Sequence, residues 1–187
     1  DTKAEREFME QKKNKLLSDM IQNDTDKKMV QLVEAATDLS CGDICTLLEV
    51  AHSLPFVGNL EGGDTYINVL TREKESMVIA QYRHPNYDLY KRSIIGEIER
   101  REDEPAVYRA LEEGISGRGL IGIIDEGRTV VRHTVSPILN SEKKVIGALT
   151  YEYPNAGADT ESIRIINNQE GKQDPINRQL GKASDYL

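Results

Sequence analysis

Three β-rich runs near the end of the chain constrain the fold more than any other feature. The runs "LIGII", "TVVRHTVSPIL" and "VIGALTYEY" are separated only by the short polar links "DEGR" and "NSEKK". Links of this kind join antiparallel neighbours. An earlier pair of runs, in "TYINVLTREKESMVIAQYR", is split by the polar turn "REKES" and predicts a hairpin. The sequence therefore predicts a central antiparallel sheet of five to six strands.

Helical patterns surround these strands. Residues 1–23 and 27–36 combine good helix formers with apolar residues at near-helical spacing. In "SCGDICTLLEVAHSLP", Ser40 and Asp43 match a capping box at the start of a third helix, and Pro55 is expected to end it. A fourth helix is predicted in "DEPAVYRALEEG", whereas "LYKRSIIGEIER" fits either a helix or a short strand with turns. The expected class is α+β, with helices packed against the sheet.

The acidic balance of the chain argues against nucleic acid as a partner. Its 32 acidic and 24 basic side chains give a formal charge of -8, without a basic block. No apolar run approaches the roughly 18 residues that a membrane span needs, and the first residues lack a signal-peptide core. We expect a cytoplasmic protein with no nucleic-acid or membrane partner. Its start at Asp rather than Met suggests a segment of something longer.

The cysteines and histidines give little support for metal or nucleophile chemistry. Cys41 and Cys45 lie one helical turn apart and are able to share a metal, but no second pair of ligands stands at a suitable spacing. Both border an apolar stripe, where cysteine acts as a small hydrophobe. His133 should share a strand face with Val131 and Val135, lining the core or a pocket. We expect no metal and no cofactor.

Arginines and tyrosines are the candidates for contacts with a small ligand. The glycines of "EGGD" and "SGRGLIG" match no phosphate-binding spacing. Arg109, Arg118 and Arg132 are able to converge on an anionic or polar group, although solvated surface positions are the simpler interpretation. Tyrosine offers a pocket wall both an apolar ring and a hydrogen-bonding tip, or it packs the rim of a core. The tyrosines in question are Tyr66, Tyr82, Tyr87 and Tyr90.

Five stretches of the chain together resemble a known family. They are "LSCGDICTLLEVAHSLP", "LTRE", "SIIG", "EPAVYRALEEG" and "VSPILNSEKKVIGAL". Over roughly residues 30–153 the chain resembles the N-terminal sensor domain of bacterial histidine kinases that work with ANTAR-type antiterminator response regulators, including ethanolamine-utilisation sensor kinases. The resemblance implies a GAF-like fold: a central antiparallel sheet, helices on one face that form a dimerisation surface, and a ligand pocket on the other face.

The same resemblance implies the organisation of the chain and its partners. We expect an N-terminal helical extension at 1–29, a GAF-like sensor domain at 30–154 and a connector at 155–187. In such kinases a PAS domain and the kinase region follow in the same chain, and an ANTAR-type response regulator is the partner. A homodimer is expected. Neither a phospho-accepting histidine segment nor Asn- and Gly-rich ATP-binding boxes are found here, so this chain is not expected to be an enzyme by itself.

The expected ligand pocket lies between the sheet and residues 81–119. Its candidate contacts are Tyr66, Asn68, Tyr82, Arg92, Arg109, Arg118 and Arg132. The leading hypothesis is a signal-input domain that binds a small metabolite and relays its occupancy to the kinase. The alternative is a ligand-free dimerisation scaffold of the same kinase. A thiol-based reductase using Cys41 and Cys45 is disfavoured, because a reactive thiol must be accessible.

Overall fold

The structure, a computed structural model, describes residues 2–86, 89–90, 92–124 and 129–155. Its helices are α1 Lys3–Met20, α2 Asp24–Ala36, α3 Cys41–Glu61 and α4 Pro105–Glu113. Its strands are β1 Asp64–Leu70, β2 Ser76–Tyr82, β3 Ile98–Glu99, β4 Gly117–Ile124, β5 Thr129–Leu139 and β6 Val145–Pro154. The link "DEGR", Tyr87 and the expected connector after residue 155 lie outside the described residues.

All neighbouring strands pair antiparallel in one sheet of order β3-β2-β1-β6-β5-β4. The hairpin β1–β2 and the succession β4, β5, β6 are present as predicted. The additional pairing of β1 with β6 joins the two halves and places these two strands at the centre. The ambiguous segment "LYKRSIIGEIER" contributes β3, a strand of two residues at the edge. The predicted α+β class with five to six antiparallel strands is confirmed.

Helix α3 covers one side of the sheet, which we call the helix face. The helix begins at the predicted capping box, in which Ser40 and Asp43 each accept a hydrogen bond from the other's backbone N–H. Leu47 and Leu48 of α3 are fully buried in the same cluster as Ile67 of β1. Full burial of one such side chain contributes about 2 kcal/mol, so α3 and β1 form the main apolar core.

The predicted end of α3 at Pro55 is wrong. The helix continues to Glu61 and ends at Gly62, whose φ of 76° is left-handed. A proline removes one hydrogen bond of the helix. However, Leu54 and Gly58 are both buried, so the buried side of α3 continues beyond the proline. Packing of this last part of the helix outweighs the missing hydrogen bond.

The opposite side of the sheet, which we call the cover face, lies beneath α4 and a covering segment, described at residues 83–86, 89–90 and 92–104. Val107 and Ala110 of α4 are fully buried in one cluster with Val135 and Ala148 of the sheet. The helix ends at Gly114, whose φ of 69° is left-handed. The predicted fourth helix is thus confirmed, and it covers the half of the sheet near β5 and β6.

Helix α1 packs on α3 but remains mostly exposed. Leu17 is its buried apolar side chain, whereas Phe8, Met9 and Leu16 are exposed. The second predicted helix corresponds to α2, which begins three residues earlier than expected. Among the described helices, none combines the length and apolar character needed to cross a bilayer.

Gly63, at the junction of α3 and β1, is expected to be intolerant of a side chain. A Cβ at this position would lie 2.2 Å from the backbone carbonyl oxygen of Glu152. Since backbone atoms of the central strand would have to shift, Gly63→Ala should lower the free energy of unfolding by about 1–3 kcal/mol. Thermal unfolding followed by circular dichroism measures this loss.

Gly42→Ala is the matched control. Near the start of α3, its Cβ would meet only the Ser40 hydroxyl, at 3.7 Å. Alanine is the better helix former, so this variant should be neutral or gain up to about 1 kcal/mol. Equal melting temperatures for the two variants would contradict the assigned clash.

Candidate functional site

Side-chain alternation places a buried set of polar residues on the cover face of the two central strands. Asp64, Tyr66 and Asn68 of β1 stand beside Thr150 and Glu152 of β6. Tyr66 lies opposite Thr150, Asp64 lies opposite Glu152, and all five side chains are fully buried. Burial of polar groups costs free energy unless they are hydrogen-bonded. Their partners therefore determine what this face can bind.

The Glu152 carboxylate is held by two tyrosines. Tyr66 donates its hydroxyl to Glu152 Oε1 at 3.0 Å, and Tyr90 donates to Oε2 at 2.6 Å. The two tyrosine rings meet edge to face, with centroids 6.3 Å apart. Val78 and Ile94 pack around Tyr66. Because Tyr90 lies between β2 and β3, this contact ties the covering segment to the sheet.

A second carboxylate, Glu99 of β3, enters the same region from the sheet edge. Its Oε2 accepts hydrogen bonds from Asn68 Nδ2 at 2.6 Å and Ser76 Oγ at 3.4 Å. The Tyr108 hydroxyl of α4 donates to the Glu99 backbone carbonyl at 2.8 Å and accepts from the Ser76 N–H at 2.9 Å. These bonds connect β3, the centre of the sheet and α4.

Glu104, His133 and Glu152 form the third part of the site. His133 Nδ1 lies 3.8 Å from Glu104 Oε2 and 3.6 Å from Glu152 Oε1. The side chains of Glu104, His133 and Glu152 are 13%, 6% and 0% exposed, respectively. As predicted, His133 shares its buried strand face with Val131 and Val135. One atom from each of the three side chains falls within 4.8 Å of the others.

Burial raises the pKa of two acids in this region, Glu99 and Glu104. Desolvation is the largest cause for Glu99, and repulsion by Glu152 adds to it, so that its pKa reaches about 7 despite the bonds from Asn68 and Ser76. Burial, then Glu152 and Glu99, also raises the pKa of Glu104 well above its ordinary value. The pKa of the Tyr66 hydroxyl is raised by burial and by Glu152, which keeps it a hydrogen-bond donor.

Unused hydrogen-bonding capacity is concentrated on the cover face. Six buried side-chain atoms there have no hydrogen-bond partner among the described residues. Each such atom costs about 1–3 kcal/mol unless something pairs with it. The atoms are Asp64 Oδ2, Asn68 Oδ1, Gln81 Nε2, Glu104 Oε2, His133 Nδ1 and Thr150 Oγ1.

Of the seven residues predicted to contact a ligand, Tyr66 and Asn68 belong to this buried polar set. Arg92 lies on the covering segment, where Nη1 is 2.6 Å from Glu97 Oε1. Arg109 lies on α4, with Nε 3.9 Å from Glu113 Oε2. These two arginines are on the side of the sheet where the pocket was expected.

The other three predicted residues lie on the helix face. The Tyr82 hydroxyl donates to Asn59 Oδ1 at 2.9 Å, and Arg132 Nε donates to Asn155 Oδ1 at 3.2 Å. Arg118 lines an open groove on this face. The structure therefore divides the seven residues between the two faces of the sheet.

The groove lies between the end of α3 and strands β4–β6, with a volume of about 730 Å³. Thr134 and Ser136 line its floor together with Tyr151 and Tyr153, whose rings stack with centroids 5.5 Å apart. The Tyr151 hydroxyl donates to the Glu61 carbonyl at 2.6 Å. Small-molecule sites commonly occupy about 300–1,000 Å³, so the groove is large enough for a small ligand.

The acidic members of the buried site were missed from the sequence. Glu152 had a usable signal, since alternation in "VIGALTYEY" places it on the same strand face as Ala148 and Thr150. Glu99 stands in the ambiguous segment, and Glu104 precedes a helix, where an acidic residue is ordinary. Nothing local marks either of these two as buried.

The two cysteines pack in the apolar core of the helix face as small hydrophobic side chains. Cys41 is half-buried, Cys45 is buried, and both are free. Burial, followed by the neighbouring Cys41, raises the pKa of the Cys45 thiol. A reductase needs the opposite shift, toward the thiolate.

The fold is similar to that of a solved sensor region of a histidine kinase. A solved structure described as the sensor region of a sensor histidine kinase superposes with a TM-score of 0.53 at 17% identity, covering 70% of this chain and 43% of its own. The chain therefore spans less than half the length of that protein. Among curated proteins, none matches this chain.

Two GAF domains are also similar in structure. The phycocyanobilin-bound GAF domain from a cyanobacterial phytochrome aligns at 14% identity with a TM-score of 0.40, covering 80% of this chain and 92% of its own. The GAF domain of A. aeolicus nlh2 in an inactive state aligns at 13% identity with a TM-score of 0.38, covering 84% and 87%.

The family is defined by sequence. The family model described as "Histidine kinase PdtaS, GAF domain" matches residues 29–170, and the chain belongs to this family. The expected GAF-like sensor domain of a histidine kinase is confirmed. A sensor domain of this kind is not itself catalytic.

Glu99→Gln is expected to stabilise the domain more at high pH than at low pH. Between its ordinary pKa of 4.5 and its folded pKa of about 7, folded Glu99 keeps a proton that the unfolded chain has lost. Stability therefore falls as pH rises through this window, by up to about 3 kcal/mol. Glutamine does not titrate, and its carbonyl oxygen still accepts from Asn68.

Urea unfolding at about pH 5 and about pH 8 measures the effect. The gain of Glu99→Gln over the wild type should be larger at the higher pH. The exposed Glu73→Gln is the control and should show the same small difference at both pH values. An equal gain for Glu99→Gln at both would contradict the raised pKa.

Proposed function

We propose that this chain is the cytoplasmic signal-input domain of a two-component histidine kinase, in which a small metabolite binds on the cover face. The observation that carries the proposal is the set of six buried, unpaired polar atoms on that face. A ligand that pairs with these atoms removes part of their burial cost. Occupancy then favours the conformation that binds the ligand more tightly, and this difference in affinity is the signal relayed to the kinase.

The hydrogen-bonding character of these buried atoms favours a ligand that donates hydrogen bonds. Asn68 Oδ1 and Asp64 Oδ2 are acceptors, and Thr150 Oγ1 accepts or donates. Tyr66 and Asn68 are therefore the proposed contacts among the seven candidates. A ligand in the groove of the helix face would instead contact Tyr82, Arg118 and Arg132. A ligand that reaches the covering segment and α4 would contact Arg92 and Arg109.

The resemblance to the family supports a proposal for the remaining partners. We propose that the parent kinase continues into a PAS domain and the kinase region, acts as a homodimer and passes its phosphoryl group to an ANTAR-type response regulator. The chain's own contribution is recognition of the signal.

A thermal-shift screen of the domain against amino alcohols, amino acids and nucleotides tests the proposal. A specific ligand at about 100 times its dissociation constant stabilises by about 2.7 kcal/mol. At this chain length that raises the melting temperature by roughly 2–4 °C per kcal/mol. Asn68→Leu should abolish the shift, whereas Arg118→Ala should leave it unchanged.

The variant results locate the site. Loss of the shift in Arg118→Ala alone would move the ligand to the groove on the helix face. A library without any saturable shift, on a domain that unfolds in one transition, would contradict ligand sensing and favour the alternative function, a dimerisation scaffold.

The scaffold alternative is supported by apolar side chains on the outer helices. Phe56 and Leu60 of α3 are 71% and 70% exposed, and Phe8 and Leu16 of α1 are also exposed. Large apolar side chains that gather on a surface commonly mark an interaction site. A second copy of the domain, packed helix to helix, would cover them.

Replacing Phe56 and Leu60 together by lysine is expected to shift the domain from dimer toward monomer. Two charges would have to be buried in the helical interface, and they would have no partner there. Sedimentation velocity at several concentrations measures the change. Ile121→Lys, at an exposed apolar position of β4, is the control and should leave association unchanged. A monomeric wild type would contradict the dimer.

A further inference from the structure

Glu104, His133 and Glu152 come from three separate parts of the chain: the residue before α4, strand β5 and strand β6. Their three nearest ligand atoms fall within 4.8 Å of one another. We propose that they bind a divalent transition metal ion of the Zn²⁺ class. This site was not expected from the sequence, where the two cysteines were the only metal candidates considered.

The distances suit a single ion. Zn²⁺ holds histidine nitrogen and carboxylate oxygen at about 2.0–2.2 Å, so two ligands in tetrahedral geometry lie about 3.4 Å apart. His133 Nδ1 lies 3.6 Å from Glu152 Oε1 and 3.8 Å from Glu104 Oε2. One carboxylate oxygen of Glu104 and one of Glu152 lie within 4.8 Å of each other. Rotation of these two side chains would bring all three ligand atoms onto one ion.

Two of the three ligand atoms have no hydrogen bond. His133 Nδ1 and Glu104 Oε2 are buried without such a partner among the described residues. The His133 side chain is only 6% exposed, and its Nδ1 points between the two carboxylates. A buried nitrogen with no hydrogen bond, facing two carboxylate oxygens, is explained by a cation that all three ligate.

The surroundings resemble the outer shell of a metal site. Ligating carboxylates are usually oriented by further hydrogen bonds. Glu152 has such bonds from Tyr66 at 3.0 Å and Tyr90 at 2.6 Å. Each carboxylate oxygen has two lone pairs, so Oε1 is able to accept from Tyr66 and bind the ion at once.

The ligand set selects the class of metal. Mg²⁺ and Ca²⁺ prefer oxygen ligands alone, whereas imidazole suits Zn²⁺, Fe²⁺ and Ni²⁺. One imidazole and two carboxylates provide three protein ligands, which leaves a fourth position for water or a small molecule. The open position on the ion would lie on the cover face, where the metabolite is proposed to bind. A role of the ion in signalling therefore rests on the proposed sensing function.

Zinc titration of the chelator-treated chain, followed by isothermal calorimetry, tests the site. The wild type should bind one Zn²⁺ per chain, and Mg²⁺ should give no signal. Glu104→Gln should weaken Zn²⁺ binding by more than the about 10- to 100-fold typical of losing an outer-shell partner. Because this variant replaces a buried carboxylate by a neutral group of the same shape, its circular dichroism should match the wild type.

Two further variants isolate the three ligands from other groups. Glu73→Gln removes an exposed carboxylate outside the site, and the double variant Cys41→Ser/Cys45→Ser removes the thiols. Both should bind Zn²⁺ as the wild type does. X-ray absorption at the zinc edge should show nitrogen and oxygen ligands without sulfur.

Several results would overturn the metal site. The site would be ruled out if the wild type failed to bind Zn²⁺, if Glu104→Gln bound Zn²⁺ as tightly as the wild type, or if the cysteine variant lost binding. The metabolite screen is run once with chelator and once with Zn²⁺, so that its outcome is separate from the zinc titration. A metabolite shift without zinc binding would leave the sensor proposal standing, and zinc binding without a metabolite shift would leave a metal site in a scaffold.

Discussion

The burial of the Glu152 carboxylate in the middle of the sheet is the constraint on which the cover face depends. A carboxylate without exposed surface is tolerated only with strong partners, and both of its oxygens accept tyrosine hydroxyls. One hydroxyl comes from the neighbouring strand and the other from the segment between β2 and β3. One buried carboxyl group therefore helps to fix that segment against the sheet.

One side of the sheet carries most of the apolar core, and the other carries the buried polar site. On the helix face, α2 and α3 bury a large apolar cluster, and the buried Asp26 carboxylate of α2 is paired with His52 of α3 at 3.0 Å. On the cover face, burial together with the neighbouring Glu152 raises the pKa of Glu99, Glu104 and Tyr66. Strand β1 serves both, because alternate residues such as Tyr66 and Ile67 face opposite sides. The apolar side supplies the free energy that allows the polar side to remain incompletely satisfied.

How far the sequence could predict the structure depended on the range of each interaction. The hairpin, the capping box of α3 and the strands β4–β6 are local, and each was predicted correctly. The Tyr66–Glu152 contact joins residues 86 apart, and no local pattern indicates it. Alternation alone could have separated Arg132 from the pocket, since its neighbour His133 was already assigned to the buried face. The end of α3 was misplaced because tertiary packing beyond Pro55 overrode a local signal.

The two-residue length of β3 determines how a buried site exchanges with solvent. Ile98 and Glu99 form a two-residue pairing with β2, and the Glu99 carboxylate also accepts hydrogen bonds from Asn68 and Ser76. Segments with so little pairing open at a small fraction of the free energy of global unfolding. Detachment of this one short edge would open the acidic interior to solvent while the central pair β1–β6 stays intact.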